Sequence, residues 1–264
     1  MEILAYLASV LIGLSLGLVG GGGSILTVPV VVYLFGVNPL LATSYSLFIV
    51  GSTSMIGAWQ NFKKGLVNVK AAMLFGLSSI VTVFIVRKFV LSLIPPHLFN
   101  IGSLEVTSSR LTMLLFALLM VGASYAMIKE KAATSTEQLV KGNNLKLVLL
   151  GIAIGLATSF LGAGGGFLLI PALVVLLALP MKEAVGTSLL IITLNSLVGF
   201  IGDLGHFDIE WLFLIKVTAM AIAGMFAGLY LNNKIDGAKL KKGFGWFIFI
   251  MGIFILLNEL WPKN

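Results

Sequence analysis

The chain has 264 residues, of which 59% are hydrophobic and only 10% charged, with a formal net charge of +7 and no cysteine. A soluble domain carries about 25% charged residues, so this composition excludes one, and the lack of cysteine excludes disulfides and thiol chemistry. In a soluble protein the positive charge would suggest nucleic acid; in a membrane protein it reflects lysines sorted to the cytoplasmic side.

Apolar runs recur from end to end. They are long, continuous and rich in Leu, Ile, Ala and Gly, which reads as helix and not as the short alternating strands of a closed barrel. Ten helical segments are predicted, at 3–19, 24–35, 39–59, 69–90 and 110–129, then 145–161, 166–179, 183–202, 209–231 and 243–261. The first run follows Met1-Glu2 without a basic region and is read as a structural helix, not a cleaved signal. The polar stretch Lys129–Asn144 is read as a flexible linker between two repeats, 1–130 and 145–264, with 131–144 cytoplasmic. Pro95–Ser109 has no counterpart in the second half and is expected to form an outer loop or lid.

Each half opens on two segments too short to cross a bilayer about 30 Å thick, and each pair is joined by glycines. The first junction reads GGGGSILTVP (Gly20–Pro29) and the second GAGGGFLLIP (Gly162–Pro171), 142 residues later. Consecutive glycines break a helix. A break inside lipid leaves backbone groups unpaired unless protein or a polar cavity satisfies them. Paired breaks in two halves of a membrane chain point to a transporter's binding site.

Each short pair is either one broken span or a hairpin that dips in and returns. Charge decides between them. With hairpins, twelve of the loop cations fall on one side and four (Arg87, Lys88, Arg110 and Lys263) on the other; with single crossings the split is eight against eight. Only the hairpins obey the positive-inside rule. They also leave the acidic loop Asp203–Glu210 outside, turn both termini outward and insert the second half upside down. The expected fold is therefore an all-α polytopic membrane protein of two inverted-topology repeats, each a glycine-tipped hairpin plus three transmembrane helices.

Tips that meet near the midplane would present helix N-termini to a shared cavity, which is an anion site. The candidate substrate-binding residues are Gly22, Gly23 and Ser24, and Gly164, Gly165 and Gly166; close packing of small residues is the competing explanation. Thr43-Ser44 and Thr187-Ser188 follow each hairpin and offer uncharged hydroxyl donors, or bond only to their own helices. Asn195 either binds substrate or joins two helices. Lys216 can steer an anion or snorkel to the interface, and His206 can titrate in a coupled cycle or be an ordinary exposed histidine. No nucleotide loop, His/Cys metal spacing, carboxylate pair or arginine ladder is present, so no cofactor or metal is implied. The small-residue stripes Ala223/Ala227 and Gly224/Gly228 suit a homodimer or the bundle interior equally.

A Gly-rich hairpin ending in Pro, followed by Ala-Thr-Ser or Gly-Thr-Ser and repeated across two halves, resembles the TauE/SafE sulfite-exporter family. The strongest matches are GLVGGGGSILTVPVVVYLFGVNPLLATSYSL and GLATSFLGAGGGFLLIPALVVLLALPMKEAVGTSLL. The resemblance implies a non-enzymatic transporter in the bacterial inner membrane, carrying small sulfur-containing anions such as sulfite, sulfoacetate or other organosulfonates, with export the usual direction. The residues alone supply only "small anion". They leave open an anion channel of the same architecture, or a membrane-embedded enzyme or insertion factor.

Overall fold

The computed structural model describes residues 2–95, 97–101, 104–129, 144–162, 164–177, 179–232 and 237–260. Ten helices form among these residues, close to the expected positions. Helix α1 (Glu2–Val19) leads through a 3-10 segment (Gly20–Leu26) into α2 (Thr27–Tyr33), followed by α3 (Pro39–Lys63) and α4 (Val69–Ile85). After a short hairpin come α5 (Ser108–Lys129), α6 (Asn144–Leu161), α7 (Gly166–Leu177), α8 (Met181–Asp203), α9 (Trp211–Asn232) and α10 (Gly237–Leu260). Helix α3 starts where Asn38 accepts from the Leu40 amide with Pro39 at its first position, and α4 where Asn68 accepts from the Ala71 amide. The expected linker falls almost entirely outside the described residues.

Two local details go beyond the sequence reading. The stretch 95–109, expected as an outer loop or lid, carries a short hairpin: His97–Ile101 (β1) pairs antiparallel with Leu104–Thr107 (β2), and α5 already begins at Ser108. Near its end α4 changes to a π-helical turn, Val86–Val90, then a 3-10 turn, Leu91–Leu93.

Among the described residues, five helices are long and apolar enough to cross a membrane (α3, α4 with its π turn, α5, α8 and α9), whereas α1, α2, α6 and α10 offer shorter apolar stretches. Within the apolar windows of α3 and α8, 67% of residues are buried, against 33–39% in α4, α5 and α9. Helices α3 and α8 therefore form the centre and the others surround them. Leu77, Trp59, Leu212 and Ile250 are at least 60% exposed on the outer surface. So large an apolar exterior suits hydrocarbon, not water. Three apolar clusters fill the interior, around Ile12, Phe116 and Met225, around Tyr45, Phe200 and Leu214, and around Phe75, Leu169 and Ile192.

The halves are interleaved. Helix α1 packs on α9 of the other half, α6 packs on α4, α3 packs on α8, and α5 on α10. Glycines bring the first two pairs together. A Cβ at Gly17 would lie 2.6 Å from the Met225 carbonyl oxygen, and one at Gly155 would lie 2.8 Å from that of Ser79. Gly224 and Gly228 close against Val10 and Leu14 of α1, so this stripe serves the bundle interior. Ala223 and Ala227, on the neighbouring face of α9, are exposed.

Candidate functional site

The chain reverses at both glycine runs. Gly23 returns so close to Ser15 and Leu16 that a Cβ there would lie 2.7 Å from the Leu16 Cα, and the Ser15 hydroxyl reaches the Gly23 carbonyl at 3.4 Å. Gly165 returns onto Thr158 and Ile154 of α6. Each pair of short helices is therefore a hairpin. Contacts elsewhere agree. The Asn68 amide donates to the Thr187 hydroxyl at 2.9 Å, and Arg87 meets Asp203; single crossings would put each pair on opposite sides of the membrane.

The two tips touch. A Cβ on Gly21 would lie 2.7 Å from the Gly166 Cα, and Gly166 faces the Gly21 backbone just as closely. Each hairpin also leans on the central helix of the opposite half: Gly20 on Val185 of α8, and Gly162 on Thr43 of α3. Side chains at these positions would drive the elements apart. In this conformation the two tips therefore leave no gap between them.

The tips differ in construction. At the second, Gly162, Gly164 and Gly165 all have φ between +64° and +72°, a region that excludes most side chains. Helix α7 then starts directly at Gly166, with the Leu168 and Leu169 amides both donating to the Gly165 carbonyl at 3.0 Å. At the first, only Gly20 has positive φ, and the returning limb is a 3-10 segment before the seven-residue α2. The expectation of an α-helical N-terminus at both tips is thus met at the second and corrected at the first.

Ser24, Thr43, Ser44, Thr187, Ser188 and Asn195 are all fully buried. Most of their polar groups are engaged. Ser24 donates to the Gly21 carbonyl (2.8 Å), Thr43 to that of Leu40 (2.7 Å) and Ser188 to that of Val185 (2.8 Å). Thr187 accepts from the Asn68 amide, and the Asn195 amide donates to the Ser79 hydroxyl at 2.8 Å, joining α8 to α4. Ser44 Oγ and Asn195 Oδ1 have no partner. Lys216 lies exposed on α9 and His206 exposed beyond α8, its amide donating to the Asp203 carbonyl at 3.0 Å; neither side chain is buried with the tips.

Three features escaped the sequence. Ser196 and Thr158 carry buried hydroxyls without partners, and they lie against the second tip: Ser196 Oγ would be 2.7 Å from a Cβ on Gly164, and Thr158 Oγ1 is the nearest atom to one on Gly165. A serine or threonine within an apolar run was the available signal, but many such residues simply bond back to their own helix. The third is a buried ion pair. Arg87 Nη1 and Asp203 Oδ2 are 2.8 Å apart, with side chains 0% and 1% exposed. The sequence puts Arg87 at the outer end of the 69–90 segment and Asp203 in the outer acidic loop; the π turn of α4 and the extension of α8 to residue 203 carry both inside instead. Removing one partner of such a pair strands a buried charge, at a cost of about 3–5 kcal/mol.

A bundle that turns apolar side chains outward and keeps hydroxyls, amides and an ion pair inside is built to sit in a bilayer. Its two broken elements, meeting in the interior, are the usual construction of a membrane transporter. Residues 5–255 match the model of the sulfite exporter TauE/SafE family, and the chain belongs to that family. It is 30% identical over 252 residues to a probable membrane transporter protein of Xylella fastidiosa strain 9a5c, covering 93% of this chain and 91% of that one. It is 27% identical over 256 residues to the probable membrane transporter protein YdhB of Bacillus subtilis, covering 96% and 99%. No solved structure gives a significant match. The protein is thus a multi-pass membrane transporter.

Proposed function

We propose that this protein carries a small sulfur-containing anion, such as sulfite, sulfoacetate or another organosulfonate, across the inner membrane, with export as the working direction. The observation that carries this reading is the meeting of the two glycine tips inside the bundle, with the free hydroxyls of Ser196 and Thr158 beside the second. Unshielded backbone N–H groups and neutral hydroxyls stabilise an oxyanion without fixing it so tightly that it cannot leave. The contact between Gly21 and Gly166 corresponds to an occluded state. Parting the tips toward one side and then the other would expose Gly22–Ser24 and Gly164–Gly166 alternately. Thr43, Ser44, Thr187, Ser188 and Asn195 line the same route, while Lys216 and His206 act only at its periphery.

The two halves, 1–130 and 145–264, are read as inverted repeats joined by a cytoplasmic linker, with both termini outside. Support comes from the reciprocal packing of α1 on α9 and α6 on α4. Matched contacts add to it. Asn68 bonds Thr187, and the Glu210 amide donates to the Tyr45 hydroxyl at 2.9 Å; the paired positions 68/210 and 45/187 keep the same 142-residue offset as the glycine runs.

The test is uptake into proteoliposomes of radiolabelled sulfite, sulfoacetate, taurine, thiosulfate and sulfate. Saturable uptake with counterflow of at least one of them is expected. Unitary conductance would identify an anion channel instead, and neither uptake nor binding of any sulfur anion would overturn the substrate assignment.

A further inference from the structure

The geometry points to Arg87 as a charged oxyanion-binding residue of this transporter, holding its ligand on the Nε–Nη2 edge of the guanidinium. This rests on the reading of the protein as an anion carrier and adds a residue to it. Three observations converge. First, Arg87 is completely buried and makes one bond to Asp203, through Nη1 alone, while Nε and Nη2 have no partner. Those two N–H groups form the side-on edge of the planar fork, whose parallel donors match two oxygens of a carboxylate, sulfite or sulfonate. An ion pair built only for stability would present that edge to its own carboxylate or to backbone carbonyls, because a buried donor without a partner is costly.

Second, the residue sits on the π turn Val86–Val90, a helical irregularity frequent at functional sites. Gly202 makes room beside it: a Cβ there would lie 3.1 Å from the Arg87 Cβ. Third, the pair adjoins the glycine region. The buried Ser44 side chain lies beside the Asp203 carboxylate, and its neighbour Thr43 is the residue on which Gly162 of the second hairpin rests. A short run of contacts, from Gly162 through Thr43 and Ser44 to Asp203, thus joins the tip to the guanidinium. Asp203 acts as the resident counter-ion: it keeps the guanidinium neutralised between cycles through one nitrogen and leaves the fork open. An oxyanion passing between the tips and this end of α3 and α8 would be held there in two-point contact. A halide, which has no pair of oxygens, gains less from it.

The full chain in proteoliposomes tests this with sulfite and sulfoacetate as probes. Arg87→Lys keeps the charge and loses the fork; it should raise the KM for sulfoacetate roughly tenfold while Vmax changes less. Because a lone change at a buried pair can prevent folding, Arg87→Gln/Asp203→Asn provides a neutral, size-matched variant. It should melt near the parent temperature and lose saturable uptake. A third arm leaves Arg87 in place. The chain contains two arginines, Arg87 and Arg110, so in an Arg110→Lys background Arg87 is the one arginine left for phenylglyoxal, and mass spectrometry locates the adduct. Inactivation that sulfoacetate blocks and chloride does not is the expected result. Folded Arg87 variants with unchanged KM, or modification that is absent or indifferent to the anion, would overturn the assignment to Arg87 and leave the transporter reading intact. A parent protein that takes up no oxyanion saturably would overturn both.

Discussion

The two hairpins occupy corresponding places in the chain and are built differently. The first keeps the hydroxyls of Ser24 and Ser15 on carbonyls of its own limbs, Gly21 and Ile12, leaves that of Thr27 unpaired further along, and its returning limb stays 3-10 until Thr27. The second is open-handed. Three glycines in the left-handed region let α7 begin at the tip, and the hydroxyls of Thr158 and Ser196 beside it are unspent. Duplication of a motif thus need not duplicate its chemistry. One hairpin can serve as a rigid wall while the other supplies the donors and the dipole, which is strongest at the end of a regular α-helix.

The largest effect should come from filling the tips. Gly165→Val places a branched side chain at φ +72° against Thr158, and Gly23→Val drives one into the backbone of Leu16. For Gly165 the backbone conformation alone costs about 1–3 kcal/mol. Both variants should insert in the membrane and abolish uptake; normal flux from both would remove the tips from the transport route.

Next come the two matched contacts that tie one half to the other. Thr187→Val removes the partner of the Asn68 amide and Tyr45→Phe that of the Glu210 amide, each at about 0.5–1.5 kcal/mol because both amides are only partly buried. Chemical-denaturation midpoints should fall by similar amounts. A large loss from one and none from the other would break the correspondence between halves.

The smallest effects separate the hairpins most cleanly. Ser24→Ala loses an internal bond and should cost about 1 kcal/mol of stability with little change in KM. Ser196→Ala removes a hydroxyl that stabilises nothing in the protein, so stability should hold or rise slightly while KM for sulfoacetate increases a few-fold. Reversed results would exchange the roles assigned to the two hairpins.

Much of this architecture was legible in the residues. Helix positions follow from long apolar runs between Asn-, Gly- and Pro-rich breaks. The hairpins follow from the charge count, because lysine placement records which side each loop occupies. What stayed hidden depended on tertiary context. The β pairing of His97–Ile101 with Leu104–Thr107 lacks a strong turn signal. The burial of Arg87 could not be foreseen, since two adjacent cations after an apolar run look like a helix end until the π turn redirects one of them inward. Nor could local sequence separate Ser196, whose hydroxyl is free, from Ser188, whose hydroxyl bonds to its own helix.

The absence of cysteine makes one measurement especially direct. Ser196→Cys places a single thiol beside the second tip with little change in size. Its labelling by a membrane-impermeant thiol reagent, applied to either face of oriented proteoliposomes with and without sulfoacetate, reports access and occupancy together. Alternating access at the tips predicts labelling from both faces, slowed by the anion. A thiol that reacts from neither face, or at a rate indifferent to an anion the protein demonstrably carries, would contradict it.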